Sequence, residues 1–177
     1  MNRLYTGVGI TITVIILTWC IYIYTNTAHA PFFELQNSSF TIDTDTVTLT
    51  NGIEQISIPN SASMITTRYF GNEATGDLNG DGLLDTAFLI TRDSGGTGLF
   101  YYVVVALGAP RGHTFTNAFF VGDRIAPQST EIHTDSRELH VNFAERARGE
   151  PMTTQPSVGA TLLLKVTPTG KLEGLMK

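Results

Sequence analysis

The sequence predicts a mostly β chain: one small β-sandwich or bent antiparallel sheet domain after a single N-terminal transmembrane helix. Three observations carry this. Residues 4–24 are 21 amino acids without a charge. From residue 32 onward, short segments rich in Val, Ile, Thr, Phe and Tyr recur without helical periodicity. Gly, Pro and Asn punctuate the gaps between them, as turns require.

At 1.5 Å per residue the apolar run reaches roughly 30 Å, the thickness of a hydrocarbon core. Thr6, Thr11, Thr13 and Thr18 can bond back to helix carbonyls and so are tolerated in lipid. Trp19, Tyr22 and Tyr24 gather at its C-terminal end, where amphipathic rings suit the membrane interface. Arg3 and the terminal amine favour a cytoplasmic N-terminus, so the rest is expected on the extracytoplasmic side. The expected organisation is a membrane anchor and linker over 1–30 and a β-rich domain over 31–177. Two alternatives are weaker. Ala28-His29-Ala30 has the small-x-small form of a cleavage site, but Pro31 follows it. Cys20 could carry a lipid, but bulky Trp19 precedes it.

Arg3 is the only charge in residues 1–30, which leaves 10 basic against 16 acidic side chains in the rest. Phosphate contacts need clustered Lys and Arg, and only Arg146 and Arg148 lie close, flanked by Glu145 and Glu150. Nucleic acid is therefore not an expected partner. Cys20 is the one cysteine, so the domain has neither a disulfide nor a thiolate metal site.

Strands are expected over 39–42 and 47–50. Asn51-Gly52 then reads as a type I′ turn leading to a strand over 53–58, so a hairpin is expected there. Residues 66–70, 86–91 and 100–107 follow. The last, Phe100-Tyr101-Tyr102-Val103-Val104-Val105-Ala106-Leu107, is apolar on both faces and predicts a central strand covered on both sides. Further strands are expected over 114–121, 131–133, 138–143, 161–167 and 171–175, with a short helix around 126–130 or 144–148. Asp93-Ser94-Gly95-Gly96-Thr97-Gly98 lacks phosphate-loop and dinucleotide spacing and reads as a hairpin loop.

The most informative segment is Gly76-Asp77-Leu78-Asn79-Gly80-Asp81-Gly82-Leu83-Leu84-Asp85. Counted from Asp77, oxygen-bearing side chains fall at positions 1, 3, 5 and 9: Asp77, Asn79, Asp81 and Asp85. Gly82 falls at position 6, where the chain must turn with φ > 0, and Leu83 at position 7 can offer its carbonyl. Hard oxygens at this spacing suit Ca²⁺, which takes six or more of them. Three crowded carboxylates also repel one another without a cation. A plain Asn-Gly-Asp-Gly turn accounts for the centre of the segment but not for Asp77 and Asp85. The loop is not an EF-hand, because position 12 is Phe88 and a strand pattern follows. The pattern Asp-x-Asn-x-Asp-Gly-x-x-Asp before an apolar strand resembles the calcium loops of integrin-type FG-GAP and VCBS repeats. That resemblance covers residues 76–90 and implies a calcium loop joining two β-strands. The motif occurs once, which excludes a whole propeller in this chain. The remainder resembles bacterial envelope proteins to which no activity is assigned.

No catalytic set emerges. His29, His113, His133 and His140 share no metal-ligand spacing, and no serine sits in a Gly-x-Ser-x-Gly elbow. The long polar connection from Glu145 to Ser157 is the best candidate binding surface. The leading expectation is a membrane-anchored, extracytoplasmic calcium-binding domain with a binding or scaffolding role, its partner an envelope protein or glycan. The alternatives are an envelope hydrolase using Asp123, Glu145 or Glu150, and an accessory subunit of an envelope complex.

Overall fold

The computed structural model describes residues 32–175, together with Ile16 and Thr18. Apart from those two residues, the expected membrane span over 4–24 lies outside the described residues. No helix among the described residues is long and apolar enough to cross a membrane. The described chain is mostly β, and every strand pairing in it is antiparallel.

A short helix, α1 (Phe32–Leu35), leads into a hairpin of β1 (Ser39–Ile42) and β2 (Asp45–Thr48). A second sheet has the order β3 (Ile53–Ser57), β4 (Met64–Gly76), β5 (Asp85–Asp93), β6 (Phe100–Gly108), β7 (His113–Phe115), and β8 (Phe119–Asp123) also pairs with β6. A third sheet has the order β12 (Leu172–Gly174), β11 (Val158–Val166), β10 (Glu138–Glu145), β9 (Ala126–His133).

Strands β5 and β6 form the middle layer, as the two-sided apolar pattern of residues 100–107 predicts. Leu89, Val103 and Val105 face Leu139, Val141 and Leu164 of the third sheet. Their neighbours Phe88, Ile90, Val104 and Ala106 face Leu35, Phe40, Ile42, Val47 and Leu49 of α1 and the β1–β2 hairpin. Alternation at period 2 sends successive side chains to opposite layers, so both faces must be apolar. Fully burying each of the Val, Leu, Ile and Phe side chains among them contributes about 1.5–3 kcal/mol.

Strand β4 is bent. Its register against β5 shifts between Tyr69 and Gly71 and again between Gly71 and Ala74. Gly71 (φ 98°) and Asn72 (φ 55°) take the left-handed region there. The bend brings the end of β4 against β9: a Cβ on Gly76 would lie 2.7 Å from Ile132 Cγ2.

Several local expectations need correction. The Asn51-Gly52 turn forms with both φ positive (52° and 82°), as type I′ requires. The hairpin it begins ends at the single Thr50–Ile53 bridge. Val47 and Leu49 enter the core, where β2 pairs with β1, and β3 pairs with β4 instead. The strand expected over 114–121 is two strands, because side chains take over the pairing between them. Thr116 Oγ1 accepts the Val105 N–H, and Asn117 bonds the Leu172 backbone in both directions. The helix expected around 126–130 or 144–148 is absent. Residues 126–130 belong to β9, where Pro127 sits at a bulge opposite Asn142 and Phe143, a position that needs no N–H. Ala144 and Glu145 complete β10.

Candidate functional site

The loop over 77–84 connects the end of β4 to the start of β5, and Gly76 pairs with Asp85 to close it as a hairpin. Two glycines allow its tight course. Gly80 and Gly82 both have φ 82°, and Gly82 stands where the spacing requires a left-handed residue. The acidic side chains then bond backbone N–H groups inside the loop. Asp77 Oδ1 accepts from Gly80 N–H (2.6 Å) and its Oδ2 from Gly82 N–H (3.0 Å). Asn79 Oδ1 accepts from Asp81 N–H (2.9 Å), while its amide donates to Asp81 Oδ2 (2.9 Å). Asp81 Oδ1 accepts from Leu83 N–H (2.8 Å). Four of these five bonds bring a backbone N–H to a loop side chain, and together they hold the turn before any ligand arrives.

Asp85 differs from the other acids. It is fully buried. Its Oδ2 accepts from Leu78 N–H (2.8 Å) and Asn79 N–H (3.3 Å), and its Oδ1 from Gly108 N–H (2.9 Å) at the end of β6. One carboxylate thus ties the entrance of the loop, its exit and a neighbouring strand. Burial pushes the Asp85 carboxyl above its ordinary value, the three N–H bonds pull it down, and the Asp81 charge adds to the rise. Gly108 must stay small for this contact: a Cβ there would lie 2.7 Å from the Leu84 carbonyl oxygen.

The donor set of Asp77, Asn79, Asp81 and the Leu83 carbonyl consists of hard oxygens. The Asp77 oxygens each accept one N–H, and a carboxylate oxygen has capacity for a second partner. This chemistry fits Ca²⁺, with Asp85 bracing the loop from inside. Among the described residues, no group of three or more His, Cys, Asp and Glu side chains gathers as a metal cluster. Asp85 points inward to amides while Asp77 and Asp81 bond their own turn.

Of the acids considered for hydrolysis, Asp123 and Glu150 are held in local contacts. Asp123 pairs with its neighbour Arg124 (2.7 Å) and accepts from Leu99 N–H (3.1 Å). Glu150 accepts from Ala147 N–H, and Glu145 is exposed. The connection after Glu145 is pinned rather than open, since Arg146 donates to the carbonyls of Thr154 and Arg124. The Arg124 guanidinium holds the Asp123 carboxyl below its ordinary value, against an opposing push from burial. A depressed carboxyl stabilises the fold above its unfolded value and loses that contribution as pH falls through the folded value. The stability difference between the natural chain and Asp123→Asn is therefore expected in full at about pH 6 and to shrink from about pH 4 downward. Urea unfolding across that range measures it, and a difference that does not change with pH would contradict the pairing.

One cluster escapes spacing rules. The β9–β10 hairpin sets Glu131 opposite His140 and Glu138 opposite His133. The two imidazole rings lie 4.1 Å apart, and His140 Nε2 is 3.2 Å from Glu138 Oε2. That contact holds the Glu138 carboxyl below its ordinary value. The available signal was Glu-x-His occurring twice around a short polar turn, which places all four side chains on one face.

No known family model, curated protein or solved structure matches this chain.

Proposed function

We propose that this chain is a calcium-binding β domain, anchored through residues 4–24 at the extracytoplasmic face of a membrane, with a binding or scaffolding role in the cell envelope. The observation that carries the reading is the closed hairpin loop between β4 and β5, with oxygen donors at positions 1, 3, 5 and 9 and a left-handed Gly82 at position 6. Asp77, Asn79 and Asp81 would supply side-chain oxygens and Leu83 its carbonyl, with Asp85 at the last position as the brace that holds the loop from inside. The cation would supply positive charge where acidic side chains crowd, tying β4 and β5 together at their joined ends.

A loop with no bidentate glutamate belongs with weak, structural sites, of Kd about 10⁻⁴–10⁻³ M. Calorimetric titration of the full-length chain with CaCl₂ is expected to show saturable heat in that range. Asp81→Asn keeps the shape of the turn and removes one charge, so it is expected to weaken binding by about tenfold or more. No saturable heat, or the same affinity in Asp81→Asn, would refute the reading.

A further inference from the structure

Three loops meet at one end of the facing sheets: the 77–84 loop, the β9–β10 turn and the β11–β12 turn. Between them lies a groove of about 580 Å³, a size typical of small-ligand sites. Leu78, Leu107 and Val166 are part of its apolar lining. Asn79, Asp81, Ser136, Arg137 and Lys165 supply polar lining. Lys165 lies 3.6 Å from Glu138, which offsets its charge.

Arg137 is the cation left over. Its backbone is held left-handed at φ 54°, closing the β9–β10 turn with an N–H bond to Thr134. Its guanidinium rests on Gly80: a Cβ added there would lie 2.2 Å from Cζ. Gly80 is therefore glycine both for its φ and for the space Arg137 occupies. Among the described residues this guanidinium makes no hydrogen bond or ion pair. Arg137 is exposed to solvent at the groove, and a planar fork of five donors resting on Gly80 with no protein acceptor can pair with a carboxylate.

We infer that the groove binds a small hydroxy-carboxylate, with a uronic acid sugar as the type ligand. The carboxylate pairs with Arg137 in two parallel hydrogen bonds. Asp81 and the Asn79 carbonyl accept from hydroxyls, and Asp81 disfavours a doubly charged phosphate in the same groove. The C–H face of the sugar ring covers Leu78, Leu107 and Val166. The inference is made for the calcium-free loop, because Asn79 and Asp81 are also the residues proposed to hold the cation.

The test is calorimetric titration of the full-length chain, in detergent micelles and calcium-free buffer at constant ionic strength, with D-glucuronate, D-glucose and inorganic phosphate. Glucuronate is expected to bind, with glucose and phosphate each about tenfold weaker or more. Arg137→Asn suits the left-handed backbone and is expected to weaken glucuronate by a similar factor. Amide chemical shifts in the natural chain give a readout that needs no variant. They are expected to move at Asn79, Asp81, Ser136, Arg137 and Thr167. The inference is overturned by absent glucuronate binding, by glucose or phosphate binding equally well, by full affinity in Arg137→Asn, or by shifts centred elsewhere.

Discussion

Asp85→Ala is expected to be among the most damaging substitutions in the described domain, lowering stability by about 3–5 kcal/mol. The side chain is fully buried and accepts three backbone N–H bonds, from Leu78, Asn79 and Gly108. Alanine leaves all three donors without an acceptor, each at about 1–3 kcal/mol when water does not reach it. Asp85→Asn is expected to be milder, about 1–2 kcal/mol. Its amide oxygen can serve Leu78 and Asn79, while its NH₂ faces the Gly108 N–H. Burial pushes the Asp85 carboxyl up, so a neutral side chain also recovers part of the desolvation cost. Urea unfolding without calcium should rank the natural chain above Asp85→Asn and Asp85→Ala lowest. Were Asp85 only a ligand, all three would have equal stability in that buffer.

Phe88→Ala is expected to lose about 3–5 kcal/mol by opening a cavity in the core on the hairpin side of β5. Phe88 is fully buried, and its ring packs against Phe40 (centroids 6.5 Å), Tyr69 (5.6 Å) and Phe115 (6.4 Å). It joins the β1–β2 hairpin, the bent strand β4 and β7. Phe88→Leu refills much of the space and is expected to lose about 1–2 kcal/mol. Phe88 also occupies position 12 of the loop count, where an EF-hand has its bidentate glutamate. Phe88→Glu is accordingly expected to unfold the domain instead of tightening calcium. A folded Phe88→Glu with tighter calcium binding would contradict both the core position of Phe88 and a loop that ends at Asp85.

What could be read in the sequence follows the physics of each signal. Residues 100–107 are apolar at every position, and only a strand covered on both faces needs that. The joining of two strands by the 77–84 loop was equally legible, because Gly82 and the apolar run after Asp85 are local features. Partner choice was less legible. The Asn51-Gly52 turn formed, yet the core pulled Val47 and Leu49 toward β1 and ended the hairpin. A short helix is expected around 126–130, but these residues open β9 with Pro127 at a bulge, since a strand tolerates proline where no ladder N–H is needed. The inward turn of Asp85 could not be read at all, because its acceptors answer Gly108, 23 residues away. Arg137 was invisible for the same reason: only the fold sets it on Gly80.

The most direct test of the calcium reading is the melting temperature of the full-length chain, with excess CaCl₂ and with the metal removed. At ten times Kd, a ligand that binds only the folded state adds about 1.4 kcal/mol, a rise of roughly 3–6 °C for a domain of this size. The natural chain should show that rise, and Asp81→Asn should show little or none at the same concentration. A natural chain whose melting temperature is the same in both buffers would contradict calcium binding at Asp77, Asn79, Asp81 and Leu83 in the loop that Asp85 braces.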